Sequence, residues 1–426
     1  MLKAEDNEIL TRTNPGTSMG DMMRRFWIPF MTSKELPEAD GAPLRVTLLG
    51  EQLLAFRDTD GRVGLIDEFC PHRRASLFFG RNEECGIRCV YHGWKFDVEG
   101  KCLEVPSEPA DSNLARKVRL TAYPVHEAGG LLWAWMGPAA ERPAPPAFDW
   151  LDLPPEQCFF SQFVLNANWL QGMEGEFDSA HVSFLHRRLD MEVAKPSIVG
   201  EYFRNDTAPA WKIDPAPHGL VCAASRRTAE NELYWRVTHF ALPFYSMVAP
   251  EIGGCNSWRC WVPLDDENSW VVTVTYTHHR TITQAERDAW AAGHFAHPIV
   301  EPGSKRLTAR AENDYLIDRA VQKAHSFTGI QGTRAQDAAM TESMGAITDR
   351  SREHLATSDQ AIIAIRRLLL DSLERHGAGE EVAAMRSGDI YAVRSGSALL
   401  PDGVAYDEDK ALMREMGLAG AAQAAE

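Results

Sequence analysis

At 426 residues, 44% of them apolar and 24% charged, the chain has an ordinary globular composition and exceeds what one hydrophobic core normally organises. Two domains are therefore expected. The net charge of −16 argues against nucleic acid or an anionic membrane as partner, since both select for basic patches, but it names no substrate.

In chain order, the opening MLKAEDNEIL is acidic and lacks the basic and apolar regions of a secretory signal. No stretch reaches the roughly 18 apolar residues of a bilayer span. Eight cysteines are too sparse for a disulfide scaffold, so a reducing cytoplasm is expected, where clustered cysteines point to metal or catalysis. Helical character surrounds GDMMRRFW. From residue 44 to about 136, RVTLLG, QLLAFRD, VGLID, IRCVYH, WKFDV, KVRLTAYPV and LLWAWM read as short strands, with turns at Asp60-Gly61, Glu99-Gly100 and Gly129-Gly130. Six prolines from Pro138 to Pro155 form a stiff connection, placing a domain boundary near residue 145.

Beyond the boundary a helix is expected from Trp169 to Phe184. GLVCAAS, ELYWRVTHF, SWRCWVPL and WVVTVTYTHH follow as strands. The last strong helix, TSDQAIIAIRRLLLDSLERHG, has Thr357 and Gln360 as a capping box and Gly377 as its stop. The tail from Met413 has little to fix it. The order fits an α+β protein: an all-β domain over 1–145, then an antiparallel sheet with helices on one side over 146–426.

Metal ligands must converge, and short spacings within two loops arrange this most directly. Cys70-Pro71-His72 and Cys89-Val90-Tyr91-His92 give C-x-H-x16-C-x-x-H. Two thiolates and two imidazoles suit tetrahedral zinc or a [2Fe–2S] cluster with two His on its outer iron. Each pair mixes one Cys with one His, so each loop can give its Cys to one iron and its His to the other; this is the pattern of a Rieske domain. Cys85 lacks an x-x-His partner and reads as a spare thiol. No cysteine lies close after Arg73 and Arg74, so the extra disulfide of respiratory Rieske proteins is not expected.

A cluster alone only moves electrons. Downstream, Asp178-x-x-His181-x4-His186 supplies one carboxylate and two imidazoles, the ligand types of a non-haem Fe(II) facial triad with open positions. On an ideal helix His181 and His186 stand about 140° apart, so a π-bulge or a helix end is needed between them.

Together these features resemble the Rieske non-haem iron ring-hydroxylating oxygenases of the phthalate-dioxygenase type. The resemblance runs through ILTRTNPGTSMGDMMRRFW, CVYHGWKFDVEGKC, WLQGMEGEFDSAHVSFLH, LPFYSMVAP and FTGIQGTRAQDAAMTESMGAITDRSREHLATSD. It implies a helix-grip catalytic domain and a homotrimer, or two stacked trimers. Cys70, His72, Cys89 and His92 would hold the [2Fe–2S] cluster, and His181, His186 and Asp337 a mononuclear Fe(II). Asp178 would relay electrons between neighbouring subunits. Asp314, Asp318 and Asp349 read instead as surface carboxylates. The resemblance further implies a flavin iron–sulfur reductase as electron donor, O2 as oxidant, and a substrate that is hydroxylated or O-demethylated. An aromatic carboxylate is expected, with Arg204, Arg226 and Arg236 as candidate clamps and Asn168 beside the site. Glu174 and Glu176 are expected to cap, or bond to, the helix carrying the histidines. Two other readings stay open: an electron-transfer Rieske protein without oxygenase activity, and a zinc-stapled binding module.

Overall fold

The computed structural model describes residues 2–109, 111–190, 198–380 and 382–418. The chain divides into two compact units, one formed by Thr13–Pro145 and the other by Met1–Arg12 with Pro146–Glu426. The sequence groups the first residues with the N-terminal domain. They pack instead in the second unit, because the helix Ala4–Thr11 is pinned there: Asn7 Nδ2 donates to Thr348 O (2.9 Å), and Asn168 Nδ2 to Thr11 O (2.8 Å).

Thr13–Pro145 is built from short antiparallel strands. One sheet runs Leu44–Leu48, Glu51–Arg57, Val63–Asp67, Ala122–Tyr123. A second runs Arg81–Glu83, Gly86–Arg88, Lys95–Phe96, Cys102–Glu104, and a third joins Trp27–Thr32 and Val125–Ala128 to the fully buried Leu131–Trp135. Gly100 turns one hairpin at φ +76°, and a Cβ there would lie 2.4 Å from Leu120 O, so only glycine fits. The helical character near GDMMRRFW is a short helix, Ser18–Met23. IRCVYH is strand only to Arg88; Cys89–His92 leave the ladder to form a loop.

In the second unit a large antiparallel sheet runs Cys158–Leu165, Ser269–Tyr276, Asn256–Pro263, Tyr245–Val248, Glu232–Ala241, Gly219–Arg227, Ala210–Ala216, with Gly396–Pro401 also pairing with Glu232–Ala241. Every residue of Ser269–Tyr276 is buried, on both faces, so Trp270, Val271 and Val272 follow one another without polar alternation. The helix Gln360–Gly377 packs on the last two strands and buries Ala361, Ile362, Ile365, Leu369 and Leu373, one face at helical spacing.

Three local expectations are corrected. No Thr357–Gln360 box caps this helix; a 3₁₀ turn, Thr357–Asp359, precedes it, and Asp359 accepts from Ala356 N. Gly377 is still helical, and the chain turns at Gly379 (φ +74°), where the Glu380 amide returns to Arg375 O. The tail is fixed as far as Leu418, because the helix Lys410–Glu415 buries Leu412 and the following turn buries Met416. The rest of that expectation lies outside the described residues.

Candidate metal centres

The two loops of the N-terminal unit close in the same way. Cys70 N donates to Ala75 O (2.9 Å) and Cys89 N to Trp94 O (2.8 Å), each five residues ahead. Arg74 N returns to Cys70 O and Gly93 N to Cys89 O, both at 2.9 Å, and both residues are left-handed, at φ +58° and +77°. The two cysteines are thereby turned inward, into an apolar core with Leu54, Phe56, Ile66, Leu77, Ile87 and Phe96. The imidazoles are turned outward: His72 is exposed, its ring 4.4 Å from that of His92 and stacked 4.6 Å from Trp94.

Burial, opposed by a hydrogen bond from the His72 backbone and reinforced by Cys89, pushes the Cys70 thiol up to about 11. A buried thiol like this ionises when a metal takes the proton's place. All eight cysteines are free thiols, so the donor set is intact. Buried sulfur inside and imidazole at the rim fit a [2Fe–2S] cluster whose outer iron carries the histidines.

The second centre begins where a helix fails. The α-helix from Trp169 ends at Glu174, a 3₁₀ turn covers Gly175–Phe177, and Asp178 is extended. Asp178 and His181 are thus not neighbours on a helix face. Asp178 Oδ1 instead accepts from Ala180 N (2.9 Å) and His181 N (3.2 Å), starting a new turn, His181–Ser183, and its Oδ2 lies 3.6 Å from His181 Nδ1. The broken helix removes the angular conflict, and the two Nε2 atoms face each other at 3.1 Å.

The helix Thr333–Ser343 brings Asp337, with Oδ1 at 3.2 Å from His186 Nε2 and 3.9 Å from His181 Nε2. Two donors about 2.1 Å from one metal and at right angles stand about 3 Å apart, so these spacings fit a shared ion. His186 Nδ1 is hydrogen-bonded to Gln336 Oε1 (2.7 Å), whose amide is anchored on Ile330 O (2.8 Å), and on His181 the Nδ1 side faces the Asp178 carboxylate at 3.6 Å. These neighbours orient the rings so that both Nε2 atoms point at the same space beside Asp337 Oδ1. Burial raises the Asp337 carboxyl, but the charge of His186 and its hydrogen bond, then Arg334 and His181, outweigh it and hold the acid well below the usual range.

The three donors line a cavity of about 1320 Å³, with Phe177, Trp261, Ile330 and Met340 among its apolar walls. Arg204 and Arg236 also line it. Asn168 and Arg226 do not. Asn168 is fully buried, caps its helix through Leu170 N (3.1 Å), and ties down Thr11 O and Asp266 O. Arg226 is 1% exposed and donates to Ser179 O (2.6 Å), Ser179 Oγ (2.9 Å) and Asp206 O (3.0 Å), bracing the turn beside Asp178.

Glu174 and Glu176 do not cap the helix; buried carboxylates need charge partners, and theirs are arginines. Glu174 meets Arg350 (3.0 Å) and Arg366 (2.6 Å); Glu176 meets Arg334 (2.8 Å) and Arg259. Asp318 and Asp349 accept from the amides that follow them, and Asp314 is exposed. Sequence reasoning missed Gln336 and Arg334; a polar residue adjacent to a suspected ligand, and a cation one helical turn before it, were the available signals.

The comparisons decide the family. The Rieske [2Fe-2S] domain profile matches residues 26–124, and the profile described as LigXa C-terminal domain like matches 134–423. The chain is 38% identical over 425 residues to the 3-chlorobenzoate-3,4-dioxygenase oxygenase subunit of Comamonas testosteroni, covering 96% of this chain and 97% of the relative. It is 39% identical over 391 residues to the phthalate 4,5-dioxygenase oxygenase subunit of Pseudomonas putida, covering 89% and 88%. The chain belongs to the Rieske non-haem iron oxygenases, phthalate-dioxygenase type. The fold is shared with dicamba monooxygenase at a TM-score of 0.61 and 16% identity, over 84% of this chain and 99% of that one. This Rieske oxygenase is a terminal oxygenase component, and its cofactors are a [2Fe–2S] cluster and a mononuclear iron. Among the described residues no helix is long and apolar enough to cross a membrane.

Proposed function

We propose that this oxygenase hydroxylates an aromatic carboxylate with O2 and electrons from a separate flavin iron–sulfur reductase. His181, His186 and Asp337 would hold the mononuclear iron, and Cys70, His72, Cys89 and His92 the cluster. The observation that carries the reading is the convergence of two Nε2 atoms and Asp337 Oδ1 on the wall of a large, mainly apolar cavity. When bound, the iron supplies O2 activation at its open positions. The chain's own groups do the rest: Gln336 and Asp178 orient the imidazoles, the apolar walls exclude water, and an arginine fork anchors the substrate.

Arg204 and Arg236 support the carboxylate assignment. Both line the cavity, and Arg236, which donates through Nη2 to Ala249 O (2.8 Å), keeps a buried Nε with no hydrogen bond. Arg226 is withdrawn as an anchor, since its donors are spent on backbone and Ser179. The two relatives are named dioxygenases for 3-chlorobenzoate and phthalate, which favours an aromatic acid and incorporation of both oxygen atoms here. By the same kinship the oxygenase assembles as a trimer or stacked trimers, with Asp178 relaying electrons between neighbouring copies.

The test is a screen of aromatic acids for substrate-dependent O2 uptake with a surrogate reductase, with product mass measured under labelled oxygen. Metal analysis should give about three irons per chain, two in the cluster and one mononuclear. About two irons and no O2 uptake would favour an electron-transfer protein, and zinc without iron a binding module. Arg236→Gln should raise KM for an acid substrate far more than it lowers kcat; an unchanged KM removes Arg236 from the clamp.

A further inference from the structure

The two oxygens of Asp337 have different neighbours. Oδ1 faces the histidines, whereas Oδ2 takes Arg334 Nη1 at 3.4 Å, from one helical turn earlier. Arg334 is itself immobilised. It is 3% exposed, Nη2 donates to Glu176 Oε1 (2.8 Å), and Nε donates to Ala296 O (3.0 Å). Glu176 is held from its other oxygen by Arg259, so it cannot follow a moving guanidinium. Two buried cations balance the buried Glu176 and the half-buried Asp337 in charge, and a planar fork held through Nη2 and Nε has Nη1 left to aim at Asp337.

A carboxylate that chelates a metal presents both oxygens to it. For Asp337 that would pull Oδ2 off Arg334 and leave a buried guanidinium donor unsatisfied, an arrangement protein interiors avoid. We propose that Arg334 is a positioning residue that restricts Asp337 to ligation through one oxygen, with Glu176 and Arg259 as its brace. Two imidazoles and a single oxygen would then hold the iron through three protein donor atoms, and the position a chelating carboxylate would take would stay available to other ligands. This inference rests on the reading of His181, His186 and Asp337 as the iron site, and its test keeps the two apart.

The measurement is the crystal structure of the iron-loaded full-length oxygenase, wild type and Arg334→Gln, with cluster content checked by visible absorption. In the wild type, Asp337 Oδ1 alone should lie within bonding distance of the metal; in Arg334→Gln both oxygens should bond, raising the number of protein donor atoms by one. Where Arg334→Gln does not fold, the paired variant Glu176→Gln/Arg334→Gln removes both charges together and carries the same expectation. A chelating Asp337 in the wild type overturns the proposal, as does single-oxygen ligation that persists in the folded variant. Metal found away from His181 and His186 would instead overturn the site assignment.

Discussion

The two candidate centres of this chain gather their proposed ligands in opposite ways. In the N-terminal unit the four donors fall within residues 70–92, on two loops that repeat one hydrogen-bond scheme. In the C-terminal unit His186 and the group that orients it, Gln336, are 150 residues apart and meet only because the fold brings the helix Thr333–Ser343 against the broken helix after Trp169. A local site is written in spacing; a distributed site is written in packing.

That contrast can be broken most directly by deleting one ligand from each centre. Cys89→Ala should abolish the visible spectrum of the cluster while leaving the mononuclear metal in place. His186→Ala should remove that metal and leave the cluster spectrum unchanged. Each should lower turnover by more than about a thousandfold, since no other group supplies the lost function. Loss of both metals from either variant would mean that the centres do not form independently.

How far each centre was legible follows from the same distinction. The proposal of Cys70, His72, Cys89 and His92 as cluster ligands rests on spacing alone, and the inward cysteines and outward imidazoles add orientation, not identity. His181 and His186 were legible as a pair, but their angular conflict could be resolved only by seeing Asp178 end one turn and begin another. Asp337 came from resemblance, because nothing local distinguishes it from Asp314 or Asp318. Arg226 and Asn168 were misjudged for a physical reason. Whether a guanidinium or amide faces a cavity or satisfies buried carbonyls depends on burial, which the sequence does not state. Glu174 and Glu176 were misjudged likewise, their arginine partners lying far along the chain.

The next effect separates relay from ligation. Asp178→Asn keeps an acceptor for Ala180 N and His181 N, so both metals should stay bound, yet turnover should fall about 10–100-fold or more because the charge beside His181 is gone. Near-normal turnover would refute the relay role. Gln336→Leu tests the distributed centre at its most remote point. It leaves His186 Nδ1 without its acceptor, and iron affinity measured by chelator competition should weaken about 10–100-fold with the cluster spectrum unaltered.

The smallest effect tests whether the two cluster loops are equivalent. Gly93 and Arg74 hold matching left-handed positions, but a Cβ at Gly93 would come 2.7 Å from Pro106 Cγ, and Arg74 already carries a side chain that reaches Asp67 at 2.9 Å. Gly93→Ala should therefore cost about 1–3 kcal/mol of stability, through both the backbone strain and the contact with Pro106. Arg74→Gly relieves a strained φ while losing an exposed ion pair worth about 0–1 kcal/mol, and should be nearly neutral. Thermal unfolding of the holo-oxygenase, followed at the cluster absorption, reads both. Equal losses would show that the shared hydrogen bonds, not the space around each loop, set what the position tolerates.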